Sequence, residues 1–204
     1  MNFRYPARFL TVIGCFALTA SGALAASPKP AHSKAVVSSK KTHKPVKVVV
    51  PAGWPKFVMI PRLNVRAPVE SLDLSKSLPT HAPYRWGDVA WYDRGPKPGQ
   101  LGRANVFGHL DSTCCPAVFW QLKTLKPGDI AEVQYKKGSP LKFKVIWSQN
   151  YLNSKLPIKF MFGPASQHGL VLTTCSGVFH TDGTGYDHKL LVYARLILPN
   201  GSLG

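Results

Sequence analysis

From Lys56 onward, short apolar, β-prone runs alternate with polar turn residues, the pattern of short strands joined by turns. Phe57-Val58-Met59-Ile60 and residues 65–69 are β-prone runs on either side of a Pro61-Arg62-Leu63-Asn64 bend. Asn105-Val106-Phe107 predicts a short strand ending at Gly108. Residues 130–135 and 141–147 flank Lys136-Lys137-Gly138-Ser139-Pro140 and read as a hairpin. Residues 170–174, which lead into Cys175, and residues 190–198 are two further strands. The one helical period is short: Phe119, Leu122 and Leu125 recur at spacing three between Pro116 and the stop signal Pro127-Gly128. Many short strands with a single short helix predict an all-β fold, a barrel or a sandwich. Residues 76–103 and 148–168 read as long loops, and loops on a β-scaffold usually carry the site.

Before residue 56 the pattern is of another kind. Arg4 and Arg8 precede an apolar run over residues 9–18, and Ala23-Leu24-Ala25 offers the small residues of a cleavage site. Residues 1–25 therefore read as a secretory signal or a membrane anchor, with the apolar run shorter than a bilayer span requires. Cys15 leaves with the signal if it is cleaved. Residues 26–55 hold five prolines and six lysines and no acid, a basic linker that buries too little apolar surface to order itself. The folded domain is expected over residues 56–204.

Charge sharpens this division. The chain of 204 residues carries 26 Lys and Arg against 9 Asp and Glu, a net charge of +17. Nine of those bases and none of the acids lie in residues 1–56, so half of the excess belongs to the leader and linker and the folded part is only moderately basic. A basic tether suits an anionic surface, membrane or wall polymer, and does not require nucleic acid. Four cysteines are too few for a disulfide scaffold.

Two segments hold candidate chemistry. Asn105 to Ser112 is a strand that delivers His109 through Gly108, and Leu170 to Gly177 is a strand that delivers Cys175 to a polar turn. A thiol paired with an imidazole suits acyl transfer through a thioester. The alternatives are a buried small hydrophobe for Cys175 and a hydrogen-bonded structural residue for His109, which stand 66 residues apart in the chain.

The wider pattern resembles sortases, the cysteine transpeptidases of Gram-positive-type surfaces. Leu172, Thr174 and Cys175 match the family's Thr-Leu-x-Thr-Cys strand, with Val171 at the first threonine. The stretch Pro98 to Ser112 and its continuation from Pro116 to Asp129 are similar to the histidine region, particularly of class F sortases, and the opening Ile60 to Val69 also resembles that group. The resemblance spans residues 57 to 198. It implies a closed eight-stranded β-barrel with one or two short helices. It also implies a reaction: Cys175 attacks the threonine carbonyl of a Leu-Pro-x-Thr-Gly-type sorting signal, and His109 protonates the departing amine and deprotonates the incoming one. The partners implied are proteins with C-terminal sorting signals and an amine acceptor, a wall precursor or another protein; water in the acceptor's place makes a slow endopeptidase.

At the third catalytic position the chain departs from the family. Sortases carry an arginine at the start of the last strand to stabilise the oxyanion. Here Tyr186-Asp187-His188-Lys189 opens that strand, and Lys189 falls at the arginine's place. Arg85 and Arg94 from a loop are further candidates, as is Arg195, six residues on. Thr174 is a candidate substrate-binding residue through its hydroxyl or backbone amide. Asp111 either orients His109 or caps the turn that follows. Cys114 and Cys115 are either an inert pair or a source of a reversible disulfide to Cys175. No carboxylate or histidine cluster has metal-ligand spacing, so no metal or cofactor is expected. Two competing functions are an L,D-type peptidoglycan transpeptidase, whose histidine sits just before its cysteine, and a non-catalytic basic β-domain that binds wall polymer.

Overall fold

The computed structural model describes residues 48–72 and 83–204. The expected signal, most of the expected linker and residues 73–82 lie outside the described residues. The described residues belong to one compact unit.

Eight strands close into a barrel: β1 (Pro55–Ile60), β2 (Val65–Leu72), β3 (Val89–Tyr92), β4 (Gly102–Gly108), β5 (Ile130–Tyr135), β6 (Leu141–Leu152), β7 (His168–His180) and β8 (Gly185–Leu196). Their order around the barrel is β1-β2-β3-β4-β7-β8-β6-β5. The pairs β2–β3 and β4–β7 are parallel and the rest antiparallel. This is the expected architecture, and closure leaves no free sheet edge.

Burial on both faces explains the continuous apolar runs of β7 and β8. Leu170, Leu172, Leu190, Val192 and Ala194 face the barrel core, where Val106, Val133 and Phe143 also pack. On the outer face Val171, Leu191 and Tyr193 form a second cluster with Met161. Met161 belongs to α1 (Ile158–Phe162), a helix inside the stretch expected to be loop. That stretch is further shortened because β6 runs on to Leu152.

Three other expectations change. Residues 76–103 contain β3, whose four residues are too few to show a period, yet they join β2 to β4. The helix expected around Phe119, Leu122 and Leu125 is a chain of turns with one 3₁₀ turn at Leu122–Thr124. Leu122 N–H donates to Phe119 O at 3.0 Å and Leu125 N–H to Leu122 O at 3.1 Å. A spacing of three is the 3₁₀ period, and it still buries all three side chains. Finally, β7 does not end at Cys175. It passes a bulge between Ser176 and Phe179 and continues to His180. Gly177 makes the bulge possible: its φ is +83°, and a Cβ there would sit 2.1 Å from the Asp187 carboxylate.

Candidate functional site

The site forms where β4, β7 and β8 lie side by side. In the antiparallel β7–β8 ladder Cys175 is the direct partner of Lys189. Directly opposed residues project to the same face of a sheet, and the Lys189 ammonium donates to the Cys175 sulfur at 3.0 Å. Both residues are half-buried. On the other side, β4 runs parallel to β7 up to the pair Phe107↔Thr173. Two residues beyond that pair, His109 and Cys175 lie at the same end of neighbouring strands, which run about 4.8 Å apart.

Strand alternation separates the two threonines before the sulfur. Thr174 lies opposite Leu190, on the side that faces the core, and is 2% exposed. Its hydroxyl is thus on the other face of the strand from Cys175, and the backbone is the part of Thr174 that reaches the thiol's side. Thr173, two residues from Cys175, shares its face and is also buried. The period of two places Thr173 and Cys175 on one face of the strand.

His109 leaves β4 through Gly108, where a Cβ would lie 2.5 Å from the Phe119 ring. The Phe119 N–H donates to His109 O at 2.9 Å, which ties the histidine's backbone to the same turn. The imidazole Nε2 lies 2.7 Å from Pro83 O. The Trp86 ring packs against it, with centroids 4.2 Å apart at 55°. Neither Pro83 nor Trp86 stands out in the sequence, because nothing local links residues 83–86 to residue 109.

Asp111 neither orients His109 nor caps a helix through any contact seen here; its Oδ2 accepts a hydrogen bond of 2.5 Å from Tyr186 Oη. That bond joins the histidine's loop to β8. The Asp111 carboxylate, with burial and the nearby Cys175 sulfur adding to it, pushes the Tyr186 phenol up to about 12. One residue on, the Asp187 carboxylate accepts from His188 Nδ1 at 2.7 Å and from Val178 N–H at 2.7 Å, and His180 Nε2 lies 3.8 Å away. The bond from His188 is the main reason its pKa falls below the usual carboxylate range.

Of the arginine candidates, Arg195 lies at the far end of the β7–β8 ladder from Cys175. Arg195 pairs with Gly169 in the ladder, about 20 Å along the strand from Lys189 at roughly 3.3 Å per residue. Its guanidinium donates to Gly204 O at 2.9 Å and Leu203 O at 3.1 Å. Arg94 lines a cavity of about 460 Å³ with Arg103, Asn105 and Phe162, beside the first half of β4. Arg85 lies in the segment next to Trp86, with its backbone N–H 3.4 Å from Glu70 Oε1. Cys114 and Cys115 are both exposed, in a turn where Cys115 N–H donates to Ser112 Oγ at 3.0 Å. Among the described residues no group of three or more His, Cys, Asp or Glu side chains is placed to hold a metal ion.

A family model described as the sortase domain matches residues 58–197. Solved structures share the fold. Sortase C-1 from Actinomyces oris is 22% identical, with a TM-score of 0.53 over 69% of this chain and 70% of its own. Sortase A from Corynebacterium diphtheriae is 18% identical, with a TM-score of 0.54 over 77% of this chain and 63% of its own. Streptococcus agalactiae sortase C1 is 20% identical, with a TM-score of 0.53 over 69% and 66%. The chain thus spans about two thirds of the length of these structures. No curated protein matches it by sequence.

Proposed function

The chain belongs to the sortase family of cysteine transpeptidases, and from that premise we propose that it cleaves a Leu-Pro-x-Thr-Gly-type sorting signal and transfers the protein to a surface amine. Cys175 is the nucleophile in this reading. Its thiolate attacks the threonine carbonyl, the threonine–glycine bond breaks, and the glycine amine leaves with a proton from His109. The acceptor amine then gives a proton to His109 and displaces the sulfur. Water in the acceptor's place yields peptidase activity.

The observation that carries the reading is the 3.0 Å contact between Lys189 Nζ and Cys175 Sγ. Negative charge sits first on the sulfur and then on the carbonyl oxygen of the tetrahedral intermediate. A fixed cation in this place serves both. Lys189 takes the role of the family's arginine as a compact donor without the planar fork, so it holds one oxygen rather than a pair. Thr174 contributes through its backbone. We place the chain nearest class F, on the similarity of residues 98–129, and outside the cytoplasmic membrane, on the basic and apolar pattern of residues 1–25. Among the described residues no helix is long and apolar enough to cross a membrane.

The test is incubation of the protein with Leu-Pro-x-Thr-Gly peptides and glycine oligomers, read by mass spectrometry. A thioester adduct and a transpeptidation product are expected, and both vanish in Cys175→Ala while binding to wall polymer is unchanged. An adduct that persists without Cys175, or a wild-type protein that binds polymer and forms no adduct with any peptide, overturns the reading.

A further inference from the structure

His109 is held by contacts that decide which of its nitrogens is available for chemistry. A carbonyl oxygen only accepts, so the 2.7 Å contact between Nε2 and Pro83 O requires the proton on Nε2. The neutral ring then has its lone pair on Nδ1. Pro83 is buried, and the segment it begins is anchored from three sides. Glu70 of β2 accepts from Tyr84 N–H at 2.7 Å and Arg85 N–H at 3.4 Å. Burial, and after it the neighbouring Glu70 carboxylate, raises the pKa of Asp88 at the end of the same segment. Trp86 accepts at its backbone oxygen from Val118 N–H at 3.0 Å, next to the Phe119 N–H that holds His109 O. The Trp86 ring packs against the imidazole, tilted by 55°. Segment 83–88 is therefore a strap, fastened to β2 by a carboxylate and to the histidine by a carbonyl and an indole.

The geometry points to Glu70 and Trp86 as positioning residues that hold the strap against His109, so that Nε2–H is committed to Pro83 O and Nδ1 alone exchanges protons in the transfer reaction. Neither residue touches the reacting atoms. Glu70 acts through two backbone N–H groups and Pro83, and Trp86 acts through its ring contact. In the transpeptidation cycle Nδ1 takes the proton of the acceptor amine, giving an imidazolium with both nitrogens protonated. It returns a proton to the leaving amine of the next sorting signal, and the Nε2 proton never moves. The inference rests on the reading of His109 as the acid–base group, and it adds which nitrogen serves and what holds it.

Nitrogen NMR of the full-length protein labelled at histidine tests it, with His109→Gln supplying the assignment. The expected neutral form of His109 carries its proton on Nε2, with Nδ1 as the bare ring nitrogen. Glu70→Ala and Trp86→Ala are expected to give mixed tautomers and to lower kcat about tenfold, a fraction of the whole acid–base contribution, with KM changed less than twofold. Glu70→Gln keeps one acceptor oxygen, enough for the shorter bond from Tyr84 N–H, and is expected to recover part of the rate and of the single tautomer. If Glu70→Ala does not fold, Trp86→Ala carries the same two readouts. A proton on Nδ1 in the wild type overturns the inference, and so do strap variants whose tautomer and kcat are unchanged. The reading of His109 fails separately: full turnover by His109→Gln removes its acid–base role whatever the tautomer proves to be.

Discussion

The two sides of the site are built by different means. Cys175 and Lys189 face each other inside an antiparallel ladder, between strands buried on both faces at Val171, Leu172, Leu191 and Val192. Backbone register sets their Cα atoms opposite each other, so moving one backbone position relative to the other requires the whole ladder to slip. His109 stands one residue beyond the end of β4. Its placement depends on Pro83, Trp86 and the turn at Phe119, contacts drawn from segments far from it in sequence. The sulfur side is thus insensitive to most single substitutions outside the reacting groups themselves. The imidazole side is exposed to substitutions several residues away.

Breaking the sulfur side should give the largest effect. Lys189→Met removes the cation and leaves the ladder in place, and it is expected to lower kcat about 10²- to 10³-fold, the usual loss for one oxyanion donor. Lys189→Arg, which keeps the charge, is expected to retain far more of the rate. Transpeptidation kinetics with circular dichroism as a fold control check both. Equal losses in the two variants would mean that register alone, without the cation's charge, is what the site needs.

A smaller effect on activity, with a visible effect on stability, is expected at the imidazole side. Gly108→Ala drives a methyl group against the Phe119 ring, at a distance of 2.5 Å before relaxation. The expected cost is about 1–3 kcal/mol of overpacking, seen in thermal unfolding, together with reduced kcat because the same shift moves His109. An unchanged melting temperature would show that the turn at Phe119 yields freely, and the contrast between the two sides would weaken.

The smallest effect concerns the bond that links them. Tyr186 Oη donates to Asp111, and the phenol is pushed from 10.0 up to about 12. A folded-state pKa raised in this way means that the protonated phenol is favoured by folding. That contribution is complete below pH 10 and is lost as pH rises from about 10 toward about 12. Absorbance titration, with Tyr186→Phe subtracted, should show this late-ionising tyrosine, and Asp111→Asn should bring it back toward 10. Activity at neutral pH is expected to change only a few-fold in either variant.

The parts of this protein legible in its sequence are those governed by local pattern. Short β-prone runs bounded by turn residues located seven of the eight strands, and the run at residues 130–135 coincides with β5 (Ile130–Tyr135). The spacing of Phe119, Leu122 and Leu125 identified three buried side chains although it suggested the wrong helix, because burial follows from where side chains recur and helix type from which hydrogen bonds close. Cys175, His109 and Lys189 were identifiable as candidates from family resemblance and from their positions in strands. Register then separated Lys189 from Arg195, since pairing β7 with β8 puts Lys189 opposite Cys175 and sends Arg195 to the Gly169 end. Strand β3, the helix α1, the Tyr186–Asp111 bond and the strap over His109 were not legible. Each depends on groups brought together by closure of the barrel, and the free energy of such contacts is a property of tertiary neighbours that no local run of residues encodes.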